Sequence, residues 1–238
     1  MENQKKFWIQ NFEEGYYDKV IHNGLTSQKG LQSNWHNCTY LKVKNLIDKS
    51  DIHLDYACGS GTFIGRYLDN DSTGVDISPL QIEYAEKNFG KSVNFYTVDD
   101  FQNMNVTKFD VITVLGLIEF LSLEETKKLT TYLTRMLNEN GKIIFTTPNY
   151  SYFFRFIQSI SKYFSIKDYK NVVTHKYTKN NLTRLLSEEF PNTKVKRIVN
   201  FGIFASILSH SLGLFFEGLF EKIFKGKVGF ILLAEVKK

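Results

Sequence analysis

The stretch that most constrains this chain is His53-Leu54-Asp55-Tyr56-Ala57-Cys58-Gly59-Ser60-Gly61-Thr62-Phe63, an apolar run that ends in a glycine-rich turn. Such a pattern reads as a strand, a tight turn and the start of a helix. Glycines in the turn let the main chain approach a ligand with no Cβ in the way, and the helix N-terminus beyond offers free N–H groups. Alone, the pattern is weak. Its weight comes from Asp76, which ends the next apolar run 21 residues after Asp55, where a carboxylate can accept both hydroxyls of a ribose. Past the third run, Val98-Asp99-Asp100-Phe101 suits an adenine ring, with a carboxylate for the exocyclic amine and a main-chain N–H for a ring nitrogen. The fourth run, Phe109 to Leu115, opens through Gly116-Leu117-Ile118-Glu119-Phe120. All four features fall at C-terminal ends of strands, where open α/β sheets bind ligands.

Short apolar runs alternating with amphipathic segments predict a parallel sheet with helices on both faces. Strands are expected at 52–57, 72–76, 92–97, 109–115 and 142–147. The helix after the second strand has Ser78 as N-cap, Pro79 at its first position, Gln81 to close a capping box and Gly90 to stop it. A second helix is expected from Leu123 to Asn138, before an Asn140-Gly141 turn. The first 50 residues read as a helical cap whose aromatics (Phe7, Trp8, Phe12, Tyr16 and Tyr17) share one side, with His22 in an Asn-Gly turn. After Pro148 the pattern predicts an aromatic helix (Tyr152, Phe153, Phe156, Ile157, Ile160, Phe164), a loop and a helix near 178–189. A strand near 194–201, an apolar helix to about 225 and a closing strand at 229–237 follow. With 238 residues, 42% hydrophobic, and only 3 Pro and 15 Gly, one domain is expected. Its parts are a cap (1–50), a core (51–148) and a substrate-side region (149–238).

Two cysteines, Cys38 and Cys58, are too few for a disulfide framework and fit a reducing compartment, so a cytoplasmic protein is expected. The N-terminal residues do not read as a secretory signal. The net charge of +5 is uneven: residues 151–238 hold 15 Lys/Arg against 6 Asp/Glu, the rest 15 against 19. A basic surface can meet an anionic partner, although a solvated, lysine-rich face explains the bias equally well.

Taken together, these motifs resemble those of class I S-adenosylmethionine-dependent methyltransferases. Asp55-Tyr56-Ala57-Cys58-Gly59-Ser60-Gly61 stands in place of D-x-G-x-G-x-G, with Asp76 as the ribose acid and Asp99 as the adenine acid. The likeness covers about residues 50–148. Further on, Tyr177-Thr178-Lys179-Asn180-Asn181-Leu182 is similar to a helix start common in the small-molecule branch, including ubiquinone-biosynthesis and polysaccharide-cluster enzymes. The resemblance implies a Rossmann-like seven-stranded sheet, order 3-2-1-4-5-7-6, with the last strand antiparallel. It also implies S-adenosyl-L-methionine as cofactor, held by Asp55, Ala57, Cys58, Gly59, Gly61, Asp76, Ile77, Asp99, Asp100, Phe101 and Leu115. Ala57 replaces the first glycine and is expected at negative φ. A nicotinamide-dependent Rossmann enzyme fits less well, because Gly61 is followed by Thr62-Phe63-Ile64-Gly65.

Methyl transfer to an alcohol or phenol needs a base. His36, beside Trp35 in the cap, and His175, two residues before Tyr177, are the catalytic candidates, with Trp35, Glu119, Tyr150 and Tyr177 as substrate residues. Where relatives often place a histidine next to the acidic residue, this chain has Phe120. His53 and His210 read as structural. No His/Asp/Glu set has metal-ligand spacing, so metal-independent transfer to a small-molecule acceptor, in particular O-methylation of a lipid-linked or anionic one, is expected. A non-catalytic binding module is the main alternative. A nucleic-acid methyltransferase is disfavoured, since Leu115-Gly116-Leu117-Ile118 carries neither an N/D-P-P-Y/F motif nor a Pro-Cys pair. The apolar C-terminal helix (Leu212, Phe215, Phe216, Leu219, Phe220, Ile223, Phe224), followed by lysines, is expected to pack on the sheet. Pairing with a second subunit and lying on a membrane surface or lipid-like substrate remain open.

Overall fold

The computed structural model describes residues 7–91, 93–104, 108–151 and 173–238. The aromatic helix expected at 152–164 lies outside these residues. Seven strands form one sheet in the order β3-β2-β1-β4-β5-β7-β6. They are β1 (His53–Tyr56), β2 (Ser72–Asp76), β3 (Asn94–Thr97), β4 (Phe109–Leu115), β5 (Leu137–Pro148), β6 (Lys194–Ile198) and β7 (Ile231–Lys237). The pairs among β1 to β5 are parallel, and β7 runs antiparallel to both β5 and β6. This is the order and the antiparallel ending that the resemblance implies.

Period-two side chains on strands covered on both faces explain the near-continuous apolar runs. Ile112 and Val114 point into one core with Leu54, Phe145 and Leu232, closed by α6 (Leu123–Arg135) and α7 (Lys179–Ser187). Val111, Ile144 and Leu233 point into the other, against Cys38 and Val43 of α2 (Leu31–Lys44) and Phe63 and Tyr67 of α3 (Thr62–Tyr67). Further helices are α1 (Tyr16–Ser27), α4 (Pro79–Phe89), α5 (Val98–Gln102) and α8 (His210–Phe224). Among the described residues, no helix is long and apolar enough to cross a membrane.

Three local expectations need correcting. His22 and Asn23 are not in a turn but inside α1, because Gly24 is the point where α1 meets α2: a Cβ there would lie 2.0 Å from Ser33 Oγ. The capping box of α4 does not form. The Gln81 side chain instead accepts from Gly15 N–H (3.2 Å) and donates to Glu13 O (2.9 Å), which fastens the cap segment to α4. The helix expected to reach Asn138 stops at Arg135, since Leu137 already pairs with Phe109 in β5 and the Asn140-Gly141 turn is taken up as an irregularity of that strand. The capping box at Ser122 and Glu125 is fully formed and fixes the start of α6.

The cap is tied down by one buried acid. Arg66 Nε and Nη2 of α3 donate to the two oxygens of Asp18 in α1 (2.6 and 2.7 Å), and Tyr84 Oη of α4 donates to the second of them at 2.9 Å.

Candidate active site

Asp55 pairs with Gly74 of β2 and Thr113 of β4, so the ends of β1, β2 and β4 lie at one level of the sheet. Beyond Tyr56 the chain reverses through Ala57 (φ +68°), Gly59 (φ +54°) and Gly61 (φ +72°). Ala57 is not at negative φ. The N–H groups of Ala57 and Cys58 both donate to Val75 O (2.7 and 3.0 Å), and a left-handed residue is what lets two successive donors reach one carbonyl. Alanine there costs about 1 kcal/mol.

The two turn glycines serve different ends. A Cβ on Gly61 would lie 2.7 Å from Phe95 and 2.9 Å from Ala85, so this glycine closes α3 onto the sheet. A Cβ on Gly59 would meet only Tyr17 Cδ2, at 4.0 Å. The half-buried main chain at Gly59 therefore lies near the Tyr17 ring, with room between. The sequence placed Tyr17 in the cap but gave no sign that it faces Gly59.

Asp76 links the turn to α4, since its Oδ2 accepts from Gly59 N–H and its Oδ1 from Ser78 N–H, each at 2.9 Å. Burial raises its pKa against these opposing main-chain bonds. Ile77, half-buried, lies between those contacts. Asp55 is buried and accepts from Thr113 Oγ1 at 2.7 Å; burial pushes its carboxyl to about 7 despite that bond. The Cys58 thiol is likewise raised by burial. On β3's far side, Thr97 caps α5, its hydroxyl donating to Asp100 Oδ2 (2.6 Å) and accepting from Asp100 N–H (3.1 Å). Asp99 and Asp100 are exposed, whereas the Phe101 ring is core, 2% exposed.

The second half of the site lies at the ends of β4 and β5. Leu115 leads into Gly116 (φ +72°), whose N–H donates to Thr146 O at 3.0 Å, and a 3-10 turn at Ile118–Phe120 follows. Within that turn Glu119 is 4% exposed; among the described residues its Oε2 has no hydrogen-bond partner, and neither have Thr147 Oγ1 and Asn149 Oδ1, buried at the end of β5. Burial raises the Glu119 carboxyl to about 7. Its carbonyl accepts from Thr174 N–H (2.9 Å) and His175 N–H (3.0 Å), which brings His175 to the same place. Burial lowers the His175 pKa.

Aromatic rings of the cap join the two halves. Trp8 packs edge-on to Phe120 (4.7 Å between centroids), Phe12 stacks on Trp8 (5.1 Å) and on Tyr17 (5.8 Å), and Tyr17 meets His36 edge-on at 5.6 Å. Burial lowers His36 to about 4, so it is neutral at pH 7. Trp35 does not accompany it: successive helical residues point about 100° apart, and Trp35 stacks on Phe230 in the core (5.7 Å, 11° between planes). Tyr177 is fully buried, its hydroxyl at 3.1 Å from Thr126 Oγ1, and it accepts from Tyr150 N–H at 2.7 Å. It is a packing residue. His53 is held between Ser72 Oγ (3.1 Å) and Thr113 Oγ1 (2.8 Å), and His210 Nε2 lies 3.0 Å from Ser33 Oγ, in keeping with structural parts. Among the described residues, no group of three or more His, Cys, Asp or Glu could hold a metal ion.

Comparison with known proteins gives this geometry a family. The model of a methyltransferase domain family matches residues 47–189, which contain the glycine turn, Asp76 and Glu119. A curated relative, malonyl-[acyl-carrier protein] O-methyltransferase 1 of Ilyobacter polytropus, is 30% identical over 134 residues, covering 50% of this chain and 49% of its own. The chain thus spans about half the length of the curated relative it matches. Among solved structures, a SAM-dependent methyltransferase from Archaeoglobus fulgidus aligns with a TM-score of 0.60 at 17% identity over 87% of this chain and 95% of that one. The plantazolicin methyltransferase BpumL in complex with SAH aligns at 0.59 with 20% identity over 99% and 93%. A DhpI-SAM-HEP complex aligns at 0.61 with 14% identity over 100% and 97%. At these identities the structural likeness speaks to the fold.

Proposed function

The chain belongs to the methyltransferase domain family, and on that premise we propose that it binds S-adenosylmethionine and methylates an oxygen of a small-molecule acceptor. One juxtaposition carries the reading: the left-handed turn joined to Asp76, and the buried Glu119 carboxyl, stand at the same end of one sheet under one aromatic cap. The cofactor supplies an activated methyl group.

What the turn presents fits that cofactor. A carboxylate has about four acceptor positions, and the main-chain bonds to Asp76 leave part of that capacity for the ribose hydroxyls. The open main chain at Gly59 admits the nucleoside's sugar and side chain, and Asp99 accepts from the adenine amine. Asp100 keeps α5 in place through Thr97. Ala57, Cys58, Gly61, Ile77 and Leu115 shape the walls, and the Phe101 ring supports them from the core.

Glu119 receives the acceptor. At a pKa of about 7 it can take the proton of a hydroxyl as the methyl is transferred, and Thr147 and Asn149 offer unused polar atoms to orient the same group. His175, bonded through its N–H to the Glu119 carbonyl, is the second candidate for that proton. His36, held neutral, closes the cap side with Tyr17, and Tyr150 and Tyr177 back Glu119. Excluding water and fixing the reacting atoms within near-attack distance is the remaining task, which the Trp8–Phe12–Tyr17 rings serve. The malonyl-[acyl-carrier protein] O-methyltransferase relative supports oxygen as the acceptor atom. A cytoplasmic setting accords with the two free cysteines.

Titration calorimetry with S-adenosylmethionine, then a mass-spectrometric screen for products heavier by one methyl group, tests the proposal. Absence of cofactor binding sinks it. Binding without turnover on any acceptor favours a non-catalytic module.

A further inference from the structure

Helix α8 is mounted inside out. The residues it buries are His210, Gly213 and Glu217, and they pack through polar contacts: His210 with Ser33, and Glu217 with Asn200, whose N–H donates to Glu217 Oε2 at 2.7 Å. Gly213 is pressed so close to Ser206 and Asn34 that a Cβ would lie 1.9 Å from the serine hydroxyl. Phe216, Phe220 and Phe224 are half-buried along one flank, and the rest of the apolar side faces outward. Leu208, Leu212, Phe215, Leu219 and Ile223, at spacings of four, three, four and four, form one stripe, with Leu208 75%, Phe215 64% and Ile223 60% exposed. A helix whose large apolar residues merely packed on the sheet would show the reverse arrangement.

Charge identifies what covers the stripe. Lys42 pairs with both carboxylates of α8, the buried Glu217 and the 52% exposed Glu221, and neither acid occupies a stripe position. Lys222, Lys225 and Lys227 adjoin its C-terminal end and make no ion pair among the described residues. At its other end exposed Ile207 shares a groove between α1 and α2 with Lys29. An apolar stripe fringed by cations, on a helix of 15 residues that is too short to cross a bilayer, matches an interfacial helix lying flat on anionic lipid. We propose that this face docks the protein on an anionic phospholipid surface, α8 sinking its stripe among the acyl chains while the lysines meet the headgroups. A second copy of the chain would bring like charges together at the rim.

Co-sedimentation of the full chain with phosphatidylglycerol-containing vesicles and with pure phosphatidylcholine vesicles tests this. Binding is expected to the former, with release by salt. Replacing Lys222, Lys225 and Lys227 by Gln should lower partitioning by about ten- to a hundredfold. The Phe215→Glu/Ile223→Glu variant should remain in the supernatant while keeping its circular dichroism and melting temperature. The proposal fails if the wild type ignores anionic vesicles, if it binds neutral ones equally, or if the Phe215→Glu/Ile223→Glu variant still sediments. It also fails if ultracentrifugation without lipid shows a dimer which that variant dissociates.

Discussion

Asp76 Oδ2 accepts the Gly59 N–H at 2.9 Å, so the acid at the end of β2 and the glycine turn at the end of β1 are one unit. Asp76→Ala should therefore remove two ribose hydrogen bonds and also release the Gly59 and Ser78 donors. Loss of about 2–3 kcal/mol of cofactor affinity, roughly 30- to 150-fold, is expected by calorimetry. Unchanged affinity would remove Asp76 from the binding site.

The buried carboxyls give stability a pH signature. Glu119 and Asp55 both have folded pKa values raised to about 7 by burial, above the ordinary values of 4.5 and 3.8. Below about pH 3 both groups are protonated in either state and impose no penalty. As pH rises from there to about 7, the unfolded chain gives up these protons first and the fold loses stability, levelling off above the folded pKa. Glu119→Gln should remove on the order of 2–3 kcal/mol of that decline in melts across this range. If the decline persists in full, Glu119 is not buried as described. In turnover, kcat/KM should rise with pH through about 7 in the wild type, and the variant should be slower by about a hundredfold or more with that limb gone.

Ala57 occupies a glycine's conformation at φ +68°. Ala57→Gly should raise stability by up to about 1 kcal/mol, or about 2–4 °C in melting temperature for a chain of this size. Ala57→Val should lower it. A melt in which Gly destabilises would contradict the left-handed geometry.

Asp18 fastens α1 to α3 and α4 through Arg66 and Tyr84. Asp18→Asn keeps the shape but strips the charge. Because the Arg66 side chain is 29% exposed, the cost should stay near 2 kcal/mol, below that of a fully buried pair. Looser packing of the cap should show as faster limited proteolysis before residue 30 and weaker cofactor binding. Wild-type proteolysis rates would mean that the cap is held elsewhere.

The sheet was legible because β1, β2 and β4 carry their evidence locally, in apolar runs that end at Asp55, Asp76 and Leu115. The same motif placed Asp55, Asp76 and the glycine turn at one end of the sheet, where the structure has them. What sequence reasoning missed was set by tertiary contact. Gln81 has the spacing of a capping residue, yet its amide is taken by Gly15 and Glu13, 66 and 68 residues away. Trp35 and His36 are neighbours in sequence but face apart on α2, one in the core and one toward Tyr17. Thr147 became interesting only when burial left its hydroxyl without a partner in the hydrogen bonds of the described residues. The inversion of α8 was invisible too, since an apolar stripe reads the same whichever way it faces.

The strand order also dictates the timing of assembly. Among the described residues β6 pairs with β7 alone, and β7 is the wedge between it and β5. No register for residues 194–198 therefore exists until Ile231–Lys237 has been synthesised and inserted. During translation α8, with its greasy outer face, hangs between a strand that cannot yet dock and one that has not yet left the ribosome.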